Sequence, residues 1–412
     1  MKIVSTIALG MALALGTTAV VGTNPALAQK KDKKAAGQKY DLSKPVREAV
    51  SAAQTALAAG DTATAAAKVA EAKAAATTPD DKFVTGSVDY EVSRKTNDTK
   101  AQSAAIEMML SSGKVAPDQI ATFNTVVGQI AYQGNDFQKA ERHLQAAVDA
   151  GAPDPNVFAL LVESKQKLGK TPEALQTLQA GIDKQKATGK PAPKEWYGRG
   201  IAIGYAAKLP QQTEKLTQEW LLAYPGEPTN WRDSLITWRD LNKVDADTEL
   251  DIYRLMRSAG ALKGQADYME YVNATYLRNP GEAKAVLDEG VKAGFVNTAS
   301  SQNAREINTI VSGKVAADKA SLPKTPAASA TGKALMNFGD AYLGYADWAN
   351  AATFYKAAIA KGGIDANVAN TRLGMALARS GDKAGAKAAF AAVTGPRAGL
   401  ARYWTIWVDQ QA

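Results

Sequence analysis

Several stretches of this chain have residue types at spacings that suggest chemistry, and each fails a second requirement. Gly169-Lys170-Thr171 closes like a phosphate-cradling loop, but the Gly needed five residues earlier is Ser164. Gly198-Arg199-Gly200 followed by Gly204 misses dinucleotide spacing by one residue, and no strand precedes it. Asp245, Asp247, Glu249 and Asp251 alternate like a calcium loop. They lack the turn Gly at the sixth place, and Met256 stands where a bidentate Glu is required, so a solvated helix start is expected there. Asp80-Asp81 precedes Lys82 at a turn and fits helix capping. The chain holds one His, His143, and no Cys. That excludes disulfides, thiolate metal sites and any mechanism needing two imidazoles. No catalytic residue, cofactor or metal is expected, and the chain does not read as an enzyme.

What remains is binding, and binding groups need elements to hold them. Of 412 residues, 81 are Ala. Ala is the best helix former and too small to fill a thick core alone, so closely packed helices are expected. Trp196, Trp220, Trp231 and Trp238 enrich the middle third. At helical spacing they suit either a hairpin core or a sugar-stacking platform.

Internal repetition decides the architecture. A small residue is followed by Ala 12 on, a bulky apolar residue 16 on and a compact residue 19 on. Gly128, Ala140, Leu144, Ala147 is one instance; Gly339, Ala351, Tyr355, Ala358 and Gly374, Ala386, Phe390, Val393 are others. The anchoring Ala residues 65, 140, 174, 283, 351 and 386 are spaced by multiples of roughly 34–37 residues. A helical hairpin explains this, since small residues let two helices approach and bulky ones fill the gaps between units. About ten such units would tile the chain from Ser43.

Leu335-Met-Asn-Phe338-Gly339-Asp-Ala-Tyr342, with Asp347-Trp348 through Ala351 and Tyr355 to Ala358, resembles a tetratricopeptide repeat (TPR), as does Val127-Gly128 through Ala140 to Ala147. The whole chain is similar to secreted repeat proteins of alphaproteobacteria. Lys165, where an apolar residue is usual, and Pro280-Gly281-Glu282, in place of the usual turn, depart from the pattern. The resemblance implies an all-α, right-handed solenoid with a concave groove that binds a protein or peptide, and no chemistry. Carrying its register across places Gln129, Tyr132 and Gln133 of one repeat and Glu163, Gln166 and Lys167 of the next in that groove. Tyr132 would be the anchor.

The ends and interruptions complete the organisation. Residues 1–28 combine Lys2, an apolar run and Ala26-Leu27-Ala28, the pattern of a secretory signal. Residues 29–42 read as a Lys-rich disordered tail, 43–318 as the repeat array, 319–332 as a linker or long loop, and 333–412 as a repeat pair with a capping helix. Leu400, Tyr403, Trp404, Trp407 and Val408 form that helix's apolar face. Residues 184–194, with Gly189, Pro191 and Pro193, read as an extended loop. The net charge of +8 sits partly in the tail and shows no basic patch with interleaved aromatics, so nucleic acid is not a predicted partner. No further segment approaches the ~20 apolar residues of a membrane span. The expected protein is a periplasmic or secreted, non-enzymatic scaffold that binds a cell-envelope protein or peptide. The alternative is a glycan-binding or polysaccharide-pathway accessory. Intact-mass measurement on exported material is expected to show a chain beginning at Gln29; retention of Met1 would contradict the signal reading.

Overall fold

The computed structural model describes residues 39–411. The expected signal segment and most of the Lys-rich tail lie outside them. Regular structure among the described residues is helical, in twenty α-helices and one short 3-10 turn. None of these helices is long and apolar enough to cross a membrane. The chain forms two compact units, divided between Ala174 and Leu175. The first holds α1 (Lys44–Ala58), α2 (Thr62–Ala75), α3 (Pro79–Lys95), α4 (Thr99–Ser111), α5 (Pro117–Gln133), α6 (Phe137–Asp149) and α7 (Pro155–Lys167). At the division lies α8 (Thr171–Ala187).

The second unit continues with α9 (Lys194–Ala206), α10 (Pro210–Ala223), α11 (Pro228–Asn242), α12 (Ala246–Ser258), α13 (Gly264–Thr275), α14 (Pro280–Lys292) and the long α15 (Gln302–Ser321). Then follow α16 (Gly332–Gly344), α17 (Trp348–Lys361), α18 (Ala366–Arg379), α19 (Lys383–Ala391), the 3-10 turn Gly395–Arg397 and α20 (Ala398–Gln410).

One turn is used five times to make a hairpin. The first helix ends, a residue adopts positive φ, and an Asp caps the second helix. The positive-φ residues are Gly60, Asn97, Asn135, Ala346 and Gly381. The caps are Asp61, Asp98, Asp136, Asp347 and Asp382, each accepting from a backbone N–H three residues on. Each capping Asp also donates its own N–H to the carbonyl five residues back, at 2.9 Å every time. That bond closes the first helix as the carboxylate opens the second, so five residues reverse the chain.

Between the two helices of a hairpin, small residues face bulky ones. A Cβ on Gly128 would lie 2.6 Å from Leu144 Cγ, one on Gly339 2.6 Å from Tyr355, and one on Gly374 2.4 Å from Phe390. These are the repeat's first and third positions, and all six anchoring Ala residues are fully buried. The helices touch there with no room for another carbon. Gly200 and Gly204 play the same part in α9, against Leu178 and Leu216 and against Thr213, which explains that Gly-rich run without a dinucleotide.

Four expectations need correction. Residues 39–42 do not belong to a disordered tail: Tyr40 stacks on Phe83, Leu42 is buried, and Asp41 and Ser43 donate backbone N–H groups to Asp80 and Asp81. The loop expected at 184–194 is shorter, because α8 runs to Ala187 and α9 begins at Lys194. Of the two readings of residues 319–332, the segment after Ser321 is a long loop inside one compact unit and not a linker between units. There α15 ends at Ser321, and the loop is held by Tyr342 Oη on the Pro323 carbonyl and Lys361 Nζ on that of Ala328. Beyond it, Gly344 lies against Glu282, and Gly281 lies under the Tyr345 ring, so the last repeats continue the packing of α14. The spacing called for a full hairpin between Ala283 and Ala351, and α15 with that loop fills the interval instead.

The last helix, α20, covers α19 as a cap should, with Trp404 stacked on Phe390. It also reaches earlier helices of its unit. Tyr403 Oη meets Thr217 Oγ1 at 2.5 Å, Gln410 donates to the Leu221 carbonyl, and Trp407 Nε1 donates to the Ser258 carbonyl. Ala140→Leu and Ala351→Leu should each destabilise by ~1–3 kcal/mol through overpacking. Unchanged thermal melts for both variants would refute this packing register.

Candidate functional site

The six residues of the expected groove lie on α5 and α7, neighbouring helices of the first unit, toward their carboxy-terminal ends. Gln133 and Lys167 are exposed; Gln129, Tyr132, Glu163 and Gln166 are half-buried. Tyr132 is already engaged, its ring edge-on to Phe137 at 5.7 Å and packed on the cluster around Leu144 and Leu161. It therefore staples its own hairpin turn, and only part of the ring is open to a partner. Elsewhere in this hairpin, His143 on α6 bridges three helices. Its ring nitrogens lie 2.8 Å from Asn124 Oδ1 and 3.1 Å from Glu107 Oε1, and Glu107 also holds Lys139. Burial pushes the His143 pKa down, against the pull of Glu107.

The second unit contains a site that local sequence patterns do not reveal. Asp251 on α12, fully buried, receives three guanidinium groups. Arg254 Nη1 donates at 2.8 Å, Arg372 Nε at 3.2 Å, and Arg397 reaches its other oxygen. Arg254 also forks onto Glu282 at 2.8 and 2.7 Å, and Tyr271 Oη donates to the same carboxylate. Arg372 extends to Asp340 and Asp247, both at 2.8 Å, and Tyr355 donates to Asp340. The expected solvated helix start is thus corrected. Asp245 caps α12 through Thr248, but Asp251 sits in the core. Burial pushes Asp251 and Glu282 up, yet the surrounding arginine charges outweigh it and hold both below the usual carboxylate range.

Such a network adds little net stability over apolar packing, because desolvation offsets attraction. It fixes position instead: α12, α14, α16 and α18 can hold their charges only in this arrangement. Arg254 and Glu282 also line a cavity of about 600 Å³. Its other walls include Arg257, Lys284, Tyr345, Trp348, Arg379 and Trp404. No group of three or more His, Cys, Asp or Glu among the described residues is placed to hold a metal ion. Three of the four tryptophans in the middle third, Trp196, Trp231 and Trp238, are buried, so they are core rather than a stacking platform.

This is the fold of a tetratricopeptide-like helical-repeat protein. No family model matches the chain, and no curated protein matches it. Among solved structures it is similar to a chain in the structure of Naa15/Naa10 bound to HypK-THB, at 14% identity and a TM-score of 0.28, covering 86% of this chain and 63% of that one. It is also similar to a tetratricopeptide repeat protein from Parabacteroides merdae, at 12% identity and a TM-score of 0.27, covering 81% and 100%. A third is the pentatricopeptide repeat protein PPR10 from maize, at 14% identity and a TM-score of 0.27, covering 88% and 62%. This chain thus spans somewhat under two thirds of the first and third. At TM-scores this low, the fold rests on the chain's own hairpins.

Asp251→Asn should destabilise by about 3–5 kcal/mol, because three buried guanidiniums lose their shared anion. In the wild type, both carboxylate pKa values are depressed by folding. Their stabilisation is therefore present above the ordinary carboxylate range and lost as pH falls through and below it. Denaturant titrations at pH 7 and pH 3 should show a large loss in the wild type and a smaller one in the variant; equal losses would remove the network from the account.

Proposed function

We propose that this chain is an exported, non-enzymatic scaffold of the Gram-negative periplasm, or a secreted one, that binds a protein or peptide of the cell envelope across α5 and α7. The observation that carries this reading is the pairing of two neighbouring helices that both present polar side chains, with exposed Gln133 and Lys167 beside partly open Tyr132. An extended peptide offers backbone amides and charged groups that suit such a surface, and an aromatic edge supplies an anchor. Export rests on the amino-terminal pattern of Lys2, the apolar run and Ala26-Leu27-Ala28. The glycan alternative loses its main support with the burial of Trp196, Trp231 and Trp238.

The test is affinity capture from a periplasmic extract with the wild type and with the triple variant Tyr132→Ala, Gln133→Ala, Lys167→Glu. A protein retained by the wild type should be lost, or bound at least tenfold more weakly, by a variant whose circular dichroism is unchanged. Equal retention by a folded variant would show that α5 and α7 are not the binding face.

A further inference from the structure

The cavity of the second unit has one wall cation without a carboxylate partner. Four cations line it, Arg254, Arg257, Lys284 and Arg379, against three carboxylates, Glu282, Asp288 and Glu289. Three of the cations are paired within the cavity wall. Arg254 forks onto Glu282, Arg257 forks onto Glu289 at 2.9 and 2.5 Å, and Lys284 holds Asp288 at 2.6 Å. Arg379, at the carboxy-terminal end of α18, has no carboxylate within ion-pair distance among the described residues. Its guanidinium lies over the Trp348 ring, 5.1 Å from the centroid. Trp404, also in the wall, is 1% exposed, and its Nε1 donates to nothing.

The remaining walls set the rest of the ligand. Leu343, Met375 and the aromatic faces of Trp348, Trp404 and Tyr345 are apolar. A volume of about 600 Å³ lies within the range of small-molecule sites. We propose that this cavity binds a small organic monocarboxylate with an apolar or aromatic body, its carboxylate on Arg379 and its body against Trp348 and Trp404. Arg379, the one wall cation without a carboxylate, takes one negative charge. A phosphate dianion would overcompensate it beside three carboxylates, and an uncharged analogue would leave Arg379 as it is.

Calorimetric titration of the full chain with phenylacetate, phenylmethanol and phenyl phosphate tests this. Phenylacetate should bind at millimolar concentration or tighter. Phenylmethanol and phenyl phosphate should each bind at least tenfold more weakly. Arg379→Gln, a change at an exposed helix end, should weaken phenylacetate at least tenfold with an unchanged thermal melt. Absence of phenylacetate binding, equal binding of phenylmethanol, tighter binding of phenyl phosphate or equal binding by a folded Arg379→Gln would each overturn the proposal. The comparison of the three ligands on wild-type protein stands even if the variant does not fold.

Discussion

The packing of this chain depends on contact between a residue with almost no side chain and one with a large one. Gly128 faces Leu144, Gly339 faces Tyr355 and Gly374 faces Phe390, each closer than an added Cβ would tolerate. The bulky partners and the anchoring Ala residues are all buried. Protein interiors are close-packed, so a carbon added at such a point has nowhere to go. The high Ala content follows from the same requirement, since two helices can approach this closely only over small residues. The Asp-capped turn then fixes the reversal, and the hairpin becomes a rigid unit that can be repeated.

That contact is local in sequence, 16 residues from end to end, and so it is visible in the residues alone. The capped turns at Asn135-Asp136 and Gly381-Asp382 are legible for the same reason. The second unit's charge network is not. Asp251 and Arg254 form a visible pair three residues apart, but Arg372 and Arg397 come from 121 and 146 residues away. Nothing at those positions marks them as core rather than surface. The carboxylates at 245–251 read as solvated because a single sequence shows charge and not what faces it. The cavity has the same history: Arg257, Trp348, Arg379 and Trp404 sit on four different helices and share no local pattern. Register puts the six candidate residues on α5 and α7, but it does not show the engagement of Tyr132 by Phe137, because turn packing depends on rotamers.

The two units thus use different means toward one end. In the first, apolar interlock is supplemented by a half-buried bridge from Glu107 through His143 to Asn124. In the second, interlock is joined by arginines that share buried carboxylates, and by a terminal helix that returns to α10 and α12. A network of this kind resists rearrangement, because any helix that shifts leaves a charge unpaired in the core. Rigidity of that sort suits a cavity with preset charges better than an adaptable groove.

The most direct test of the central claim is native-state hydrogen exchange on Gly128→Val. Two added methyls would meet Leu144 where even a Cβ has only 2.6 Å. Because each hairpin contacts mainly its neighbours, amide protection should fall strongly in α5 and α6 and remain close to wild type in α1 and α2. Unchanged protection throughout, or a uniform loss across α1 to α7, would contradict a fold built from locally interlocked hairpins.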